Sequence, residues 1–477
     1  MNRFRWTVVV ALALILVAAG VVYAHGGGSS GQKSAVPTAA EPDGGLAAEQ
    51  EGAEDPDRNA EAHVGSPAGY QKHNAVRVLA AAPAAGWVGE SKLATEDTWE
   101  PYVAADPNAG YVYAIYNRYG ATCTKSSCPS PQMMLRVSPD GGATWGAEHP
   151  LCACTKVSGQ WDPTILVTTS GAVLATWMNY NQIVFAKSTD HGQTFSTPVT
   201  VSTNSWSDKP WMGASADGND IYVAYESRSV LNMVVSHNGG ASWTAPATLN
   251  SDSSVYRYPN GIVVLSGGAN GTAVMADSKF PGGSAHSTGP VDIEVWRTTN
   301  GGTSWTRNVV TTVFTGVDFR TSSTTTVAGD RGGTLVMEYS GATVAGGNGH
   351  VWVRRSTDGG ITWSAATELA NGSANASFPA IAGGAAGDFR LSWMDARGGA
   401  WNVYYRSSTD GGQTWGAEAK ISDATSGAGY KSAAGFSSAY GDYDGIAITN
   451  LGKSISVAGE GVSFSTGPGA IWLNRQN

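Results

Sequence analysis

One eight-residue pattern, Ser/Thr-x-Asp/Asn-x-Gly-x-Ser/Thr-aromatic, recurs six times and limits the fold more than any other feature of the chain. A clear copy is Ser356-Thr357-Asp358-Gly359-Gly360-Ile361-Thr362-Trp363; the others begin at Ser138, Ser188, Ser236, Thr298 and Ser408. Successive copies start 48 to 62 residues apart. A period of this size, with strand-like sequence between copies, is that of one propeller blade per repeat. The motif reads as a hairpin turn. Asp140, Asp190, Asn238, Asn300, Asp358 and Asp410 can accept hydrogen bonds from backbone amides just downstream, while the glycines supply positive φ. The closing aromatics (Trp145, Phe195, Trp243, Trp305, Trp363, Trp415) are large enough to fill the gap between neighbouring sheets. These six Asp and Asn are expected to be structural, and neither a metal nor a cofactor is expected.

Composition agrees with a large all-β protein. Charged residues are only 14%, and 62 Gly, 17 Trp and 18 Tyr supply turns and inter-sheet packing. The net charge of −9 comes without a basic patch, which argues against nucleic acid. Short alternating runs such as Tyr111-Val112-Tyr113-Ala114-Ile115-Tyr116 predict half-buried strands. Blades can be counted by a second landmark, the start of each innermost strand. Pro101, Pro163, Pro210, Pro259, Thr321, Pro379 and Tyr443 are each followed eight or nine residues later by a glycine turn, which makes seven slots. Six lead on to the repeat. The seventh ends at Ile471-Trp472-Leu473-Asn474, before any copy of it. Trp87 to Ala94 resembles the strands that follow the repeats, so it is expected to close the ring by pairing with that last strand, which removes two sheet edges. The expected fold is a propeller of four-stranded antiparallel blades.

The domain layout is 1–24, 25–85 and 86–477. Arg3 and Arg5 precede an apolar run from Trp6 to Val22, and Val22-Tyr23-Ala24 suits signal-peptidase cleavage, so the chain is expected to be exported. An uncleaved membrane anchor is the alternative, and contact with a membrane is expected only through this segment. Residues 25–85, rich in Gly, Ala, Glu and Pro, read as a disordered linker. All four cysteines fall in the first blade: Cys123 and Cys128 in a loop, Cys152 and Cys154 on the fourth strand. Strand direction brings the two pairs to one rim, and residues two apart on a strand are poorly placed to bond each other. Two loop-to-strand disulfides are expected, in either of the two such connectivities.

The repeat resembles the Asp-box, or bacterial neuraminidase repeat, of sialidases and their relatives, in which the box lies on the side of the propeller remote from the active site. Sialidases have six blades, so a six-bladed ring with one slot misassigned is the alternative to seven. The resemblance directs attention to the opposite rim, where innermost strands begin and second strands end. Strand starts there carry Trp99, Glu100, Trp161, Asp162, Asp208, Lys209, Arg257, Arg320, Tyr440, Asp442 and Tyr443; second-strand ends carry Arg118, Glu226, Glu338, Asp395 and Arg397. Aromatics beside carboxylates and arginines suit a sugar ring, its hydroxyls and its carboxylate. The family uses, in chain order, Arg, Asp, Glu, Arg, Arg and Tyr. Glu226, Arg257, Arg320 and Tyr443 reproduce the last four, with Tyr440 or Tyr339 as substitutes for the tyrosine. Arg118 and Asp162 stand in for the first two, since the family's early Phe/Tyr-Arg-Ile-Pro has no counterpart here.

The resemblance therefore implies Tyr443 or Tyr440 as nucleophile, Glu226 or Glu338 as its base and Asp162 as acid. Arg257 and Arg320 would clamp a substrate carboxylate. Arg118, Arg397, Trp99, Trp161, Asp395 and Asp442 complete the candidate substrate site. Two function classes stay open: a secreted, monomeric, sialidase-like hydrolase acting on terminal sugars of extracellular glycans, and a non-catalytic propeller that binds glycan or protein at the cell envelope.

Overall fold

The computed structural model describes residues 83–94, 98–118, 129, 131–151, 159–204, 206–282, 288–316, 324–397, 402–422, 444–460 and 470–477. The chain divides into two units, Met1–Glu41 and Pro42–Asn477, and every described residue lies in the second. The expected signal segment 1–24, most of the linker 25–85 and all four cysteines lie outside the described residues. So do Arg320, Tyr440, Asp442 and Tyr443.

Seven sheets of four antiparallel strands follow one another along the chain, giving the seven blades expected. Their innermost strands are Thr98–Ala105, Gln160–Val167, Asp208–Ala214, Val255–Ser266, Thr325–Gly329, Ala376–Gly383 and Gly445–Ile448, for blades 1 to 7. In blade 7 the outermost strand is Ser91–Lys92, which pairs with Leu473 and Trp472, so the segment ahead of blade 1 and the C-terminal strand share one sheet. Trp87 extends this closure by bridging Gln476.

The alternating pattern puts one apolar row on each face of a blade, and each row must be covered by the next blade. The result is seven apolar clusters, one at each junction between successive blades, including the junction of blade 7 with blade 1. The six box aromatics pack against these clusters. Trp363 of blade 5, for instance, lies against the junction of blades 4 and 5. Each box aromatic thus plugs the gap between its own blade and the preceding one.

The boxes form the expected turns. Asp358 Oδ1 accepts from the amides of Ile361 (3.1 Å) and Thr362 (3.0 Å), and Ser356 Oγ accepts from the amide of Gly360 (3.0 Å). Thr362 Oγ1 donates to Asp358 Oδ2 at 2.5 Å. These bonds, the threonine hydroxyl first, pull the Asp358 carboxyl down to about 2, and the same contacts do so at Asp190 and Asp410. Boxes and strand 1–2 hairpins share one end of the propeller: the Gly141 amide bonds Gly110 O at 2.7 Å, and the Gly411 amide bonds Gly387 O at 3.0 Å.

Candidate functional site

The opposite rim is built on a repeated backbone irregularity. Glu100, Asp162, Lys209 and Phe378 each precede a proline at the head of an innermost strand, and each has a left-handed φ of 51–56°. The inner hairpin slips register at each place, between Trp99 and Tyr102, Trp161 and Thr164, Asp208 and Trp211, and Ser377 and Ala380. A residue before proline favours extended backbone, and a side chain at positive φ is strained by roughly 1–2 kcal/mol. Such bulges redirect side chains and concentrate near functional sites. Blade 4 departs from the slot read from Pro259. Its register slips between Asn260 and Ile262, where Gly261 supplies a φ of 78°. A Cβ on Gly261 would lie 2.5 Å from the Val327 amide nitrogen, so close approach to blade 5 also demands glycine.

The first three bulges bring charged side chains together in a buried cluster. Glu100 Oε2 accepts from Asn117 Nδ2 (2.7 Å) and from the Asp162 amide (2.8 Å). Lys209 Nζ donates to Asp162 Oδ1 at 3.2 Å, and the Lys209 amide donates to Asp208 Oδ1 at 2.6 Å. Asp208 faces Glu226 in the register of blade 3. Glu100, Asp162, Asp208, Lys209 and Glu226 are all at most 4% exposed. Burial raises the Asp162 carboxyl well above its usual range. Lys209 opposes the shift, whereas the charges of Glu100 and Asp208 and a hydrogen bond to the Asp208 carboxyl add to it. Burial thus shifts Asp162 toward the protonated form, the state a proton donor requires.

The other assigned residues are placed differently. Trp99 and Trp161 are buried in junction clusters rather than lining an open pocket. Arg257, 1% exposed, is held inside blade 4 by Asp277 (2.6 Å) and Glu294, with the Trp296 ring 5.4 Å away. Arg118 is paired with Glu148. Arg397 binds Asp395 (2.7 Å) and Glu418 (2.8 Å) and lies 4.2 Å over the Tyr404 ring. A channel of about 870 Å³ runs between the innermost strands, but it is bounded by the strand 1–2 hairpins and therefore belongs to the box end. Glu100, Asp208 and Lys209, which the family pattern does not assign, are the partners that define the chemistry around Asp162. The recurring charged residue before proline was their signal in the sequence.

Glu338 sits in the second strand of blade 5, fully buried, and neither carboxyl oxygen makes an ordinary hydrogen bond among the described residues. Burial raises it well above the usual carboxylate range, and the Ala380 amide offsets this only weakly. Burial of this kind disfavours the carboxylate form that a base requires. The folded state keeps a proton that the unfolded chain releases near pH ~4.3, so this group's contribution is most favourable below that pH and is lost as pH rises toward the folded value. Glu338→Gln removes the dependence. Denaturation midpoints measured from pH 4 to 8 should show the variant gaining on wild type, by at most about 1.4 kcal/mol per pH unit. Parallel stability profiles would show that Glu338 ionises freely.

Comparisons with known proteins bear on the repeats. Residues 87–269 match the model of the BNR repeat-like domain, and residues 354–365 match that of the BNR/Asp-box repeat. No curated protein matches the sequence. Among solved structures, an ulvan lyase of a polysaccharide lyase family is similar at 12% identity, over 81% of this chain and 95% of that one, with a TM-score of 0.48. A leech intramolecular trans-sialidase is similar at 12% identity, over 84% and 70% of the two chains, with a TM-score of 0.42. The NanB sialidase of Streptococcus pneumoniae is similar at 13% identity, over 82% and 70%, also with a TM-score of 0.42. At these values the likenesses say nothing about chemistry. With six boxes set in seven blades and both repeat models matched, the chain is a β-propeller that carries BNR/Asp-box repeats.

Proposed function

We propose that this propeller is a secreted glycoside hydrolase acting on terminal sugars of extracellular glycans, with Asp162 as the proton donor. One observation carries the reading: Asp162 is buried beside Glu100, Asp208 and Lys209 on a strained rim at the end opposite the boxes, where burial pushes its carboxyl toward the protonated form. A neutral carboxyl can protonate the glycosidic oxygen as the bond to the anomeric carbon breaks. Glu226, on the strand paired with Asp208, is the base. Tyr443 or Tyr440, outside the described residues, is the nucleophile that the sialidase resemblance implies. Arg118, Arg257 and Arg397 are each held by carboxylates of their own blade, so recognition of a sialic acid carboxylate rests on Arg320. Export through residues 1–24 and action as a monomer are part of the proposal.

The test is a panel of fluorogenic glycosides, a sialoside among them, with wild type, Asp162→Asn and Glu226→Gln. Loss of the proton donor should lower kcat/KM at least about a hundredfold, and wild-type activity should fall as pH rises through the raised Asp162 value. A wild type that turns over substrate while Asp162→Asn matches it would refute the assignment. The second reading, a non-catalytic glycan- or protein-binding propeller, is favoured by the complete burial of Asp162. It takes over if wild type is inert on every glycoside yet retains glycans.

A further inference from the structure

The six boxes act as controls for one another, and one departs from the rest. The residue after the box Asp or Asn is Gly141, Gly239, Gly301, Gly359 or Gly411 in five copies, with φ between 63 and 75°. In blade 2 it is His191, at a φ of 58°. A side chain is strained in this conformation and glycine is not. The His191 ring lies on Tyr111 of blade 1, with centroids 4.0 Å apart and planes 8° from parallel. Tyr111 is also particular to its blade: the residue ahead of the second strand is Ala172, Asp220, Thr334, Asp388 and Lys453 in blades 2, 3, 5, 6 and 7. Two independent positions have thus departed together.

The two rings line an open cleft of about 420 Å³ at the box end of the junction between blades 1 and 2. Trp145, His149, Thr144 and Gln193 also line it, and none of its described lining residues is Asp, Glu, Lys or Arg. A ring nitrogen of His149 is already joined to Gly192 O at 3.0 Å, which fixes one wall. His191 Nδ1 is buried with no hydrogen-bond partner among the described residues. Junction packing alone does not require these rings, because the other boxes seal their junctions with glycine at the same place.

We propose that this cleft is a second, non-catalytic saccharide site for a neutral sugar ring. Trp145 and the Tyr111–His191 pair give the apolar surface that covers a sugar's C–H face, and the exposed Gln193 amide meets its hydroxyls. The volume suits a small ligand, and a lining without Asp, Glu, Lys or Arg among the described residues suits a neutral one. The site does not depend on the chemistry at the other rim.

The test uses the full chain with selectively 15N-labelled histidine, titrated with lactose, maltose and cellobiose. At least one disaccharide should shift the His191 imidazole signals, and His191→Gly should weaken its binding roughly tenfold or more. That variant restores the residue the other boxes carry, so its melting temperature should be unchanged or higher. If no disaccharide moves the signals, or if His191→Gly binds as wild type does, the proposal is overturned and the stacked pair is inter-blade packing. Should His191→Gly lose stability as well as binding, the solvent-facing Gln193→Ala decides, with weaker binding supporting the site and unaltered binding overturning it.

Discussion

Deleting Trp87–Ala94 removes the cooperative unfolding of the propeller, or lowers its Tm by about 10 °C or more. The segment contributes only two residues of regular strand, yet Trp87, Leu93, Ala94 and Glu90 are all at most 5% exposed. Trp87 packs edge-on against Tyr405 at 4.9 Å within the cluster joining blades 6 and 7. Leu93 and Ala94 belong to the cluster joining blade 7 to blade 1. Truncating a buried tryptophan costs about 3–5 kcal/mol and a buried leucine about 2–5. The Val88 and Leu93 amides also bond Arg475 O (2.9 Å) and Ile471 O (2.8 Å), so the deletion strips the outer edge of the last sheet. Calorimetry with denaturant titration measures the effect. Trp87→Ala, which keeps the strand, should fall between wild type and the deletion. A truncated protein that melts where wild type melts would mean that blade 7 stands without its fourth strand.

Arg257→Met should destabilise the fold by about 3–5 kcal/mol at neutral pH, because it leaves Asp277 and Glu294 buried without their shared counter-ion. Both carboxylates are 0% exposed. Burial first, and then the charge of Asp277, raises Glu294 even with arginine present. Arg307 keeps one contact to Glu294 at 3.2 Å but is largely solvated, so it replaces little. The loss should shrink as pH falls and Glu294, already raised by burial, takes up a proton. Adding Asp277→Asn should recover part of the stability. The clamp implied by the sialidase resemblance makes the opposite forecast: an unchanged melting temperature with loss of kcat/KM on a sialoside. Denaturant midpoints and kinetics on the same preparation distinguish the two.

These two regions show how differently the sequence can be read. Closure of the ring was legible because it rests on one apolar segment resembling the fourth strands, and Ser91 and Lys92 do pair with Leu473 and Trp472. The slot of Arg257 was misleading. Arg257-Tyr258-Pro259 looks like Trp99-Glu100-Pro101, but the blade 4 bulge falls at Gly261, past the proline. The slip leaves Arg257 level with Lys279 and within reach of Asp277 and Glu294, 20 and 37 residues downstream. No local pattern announces those partners.

The sequence by itself determined the boxes, the seven blades and the strand that closes them. Each is set by chemistry within a few residues: an Asp that caps its own turn, a glycine at positive φ, an apolar alternation that needs covering. Only the tertiary structure decided which charges meet. Asp162 is shifted toward the protonated form because burial and the carboxylates of Glu100 and Asp208, 62 and 46 residues away along the chain, act on it together. His191 stacks on Tyr111 because its box is pressed against the preceding blade. Burial and through-space charge depend on strand register and blade docking, and a string of residues does not carry those distances.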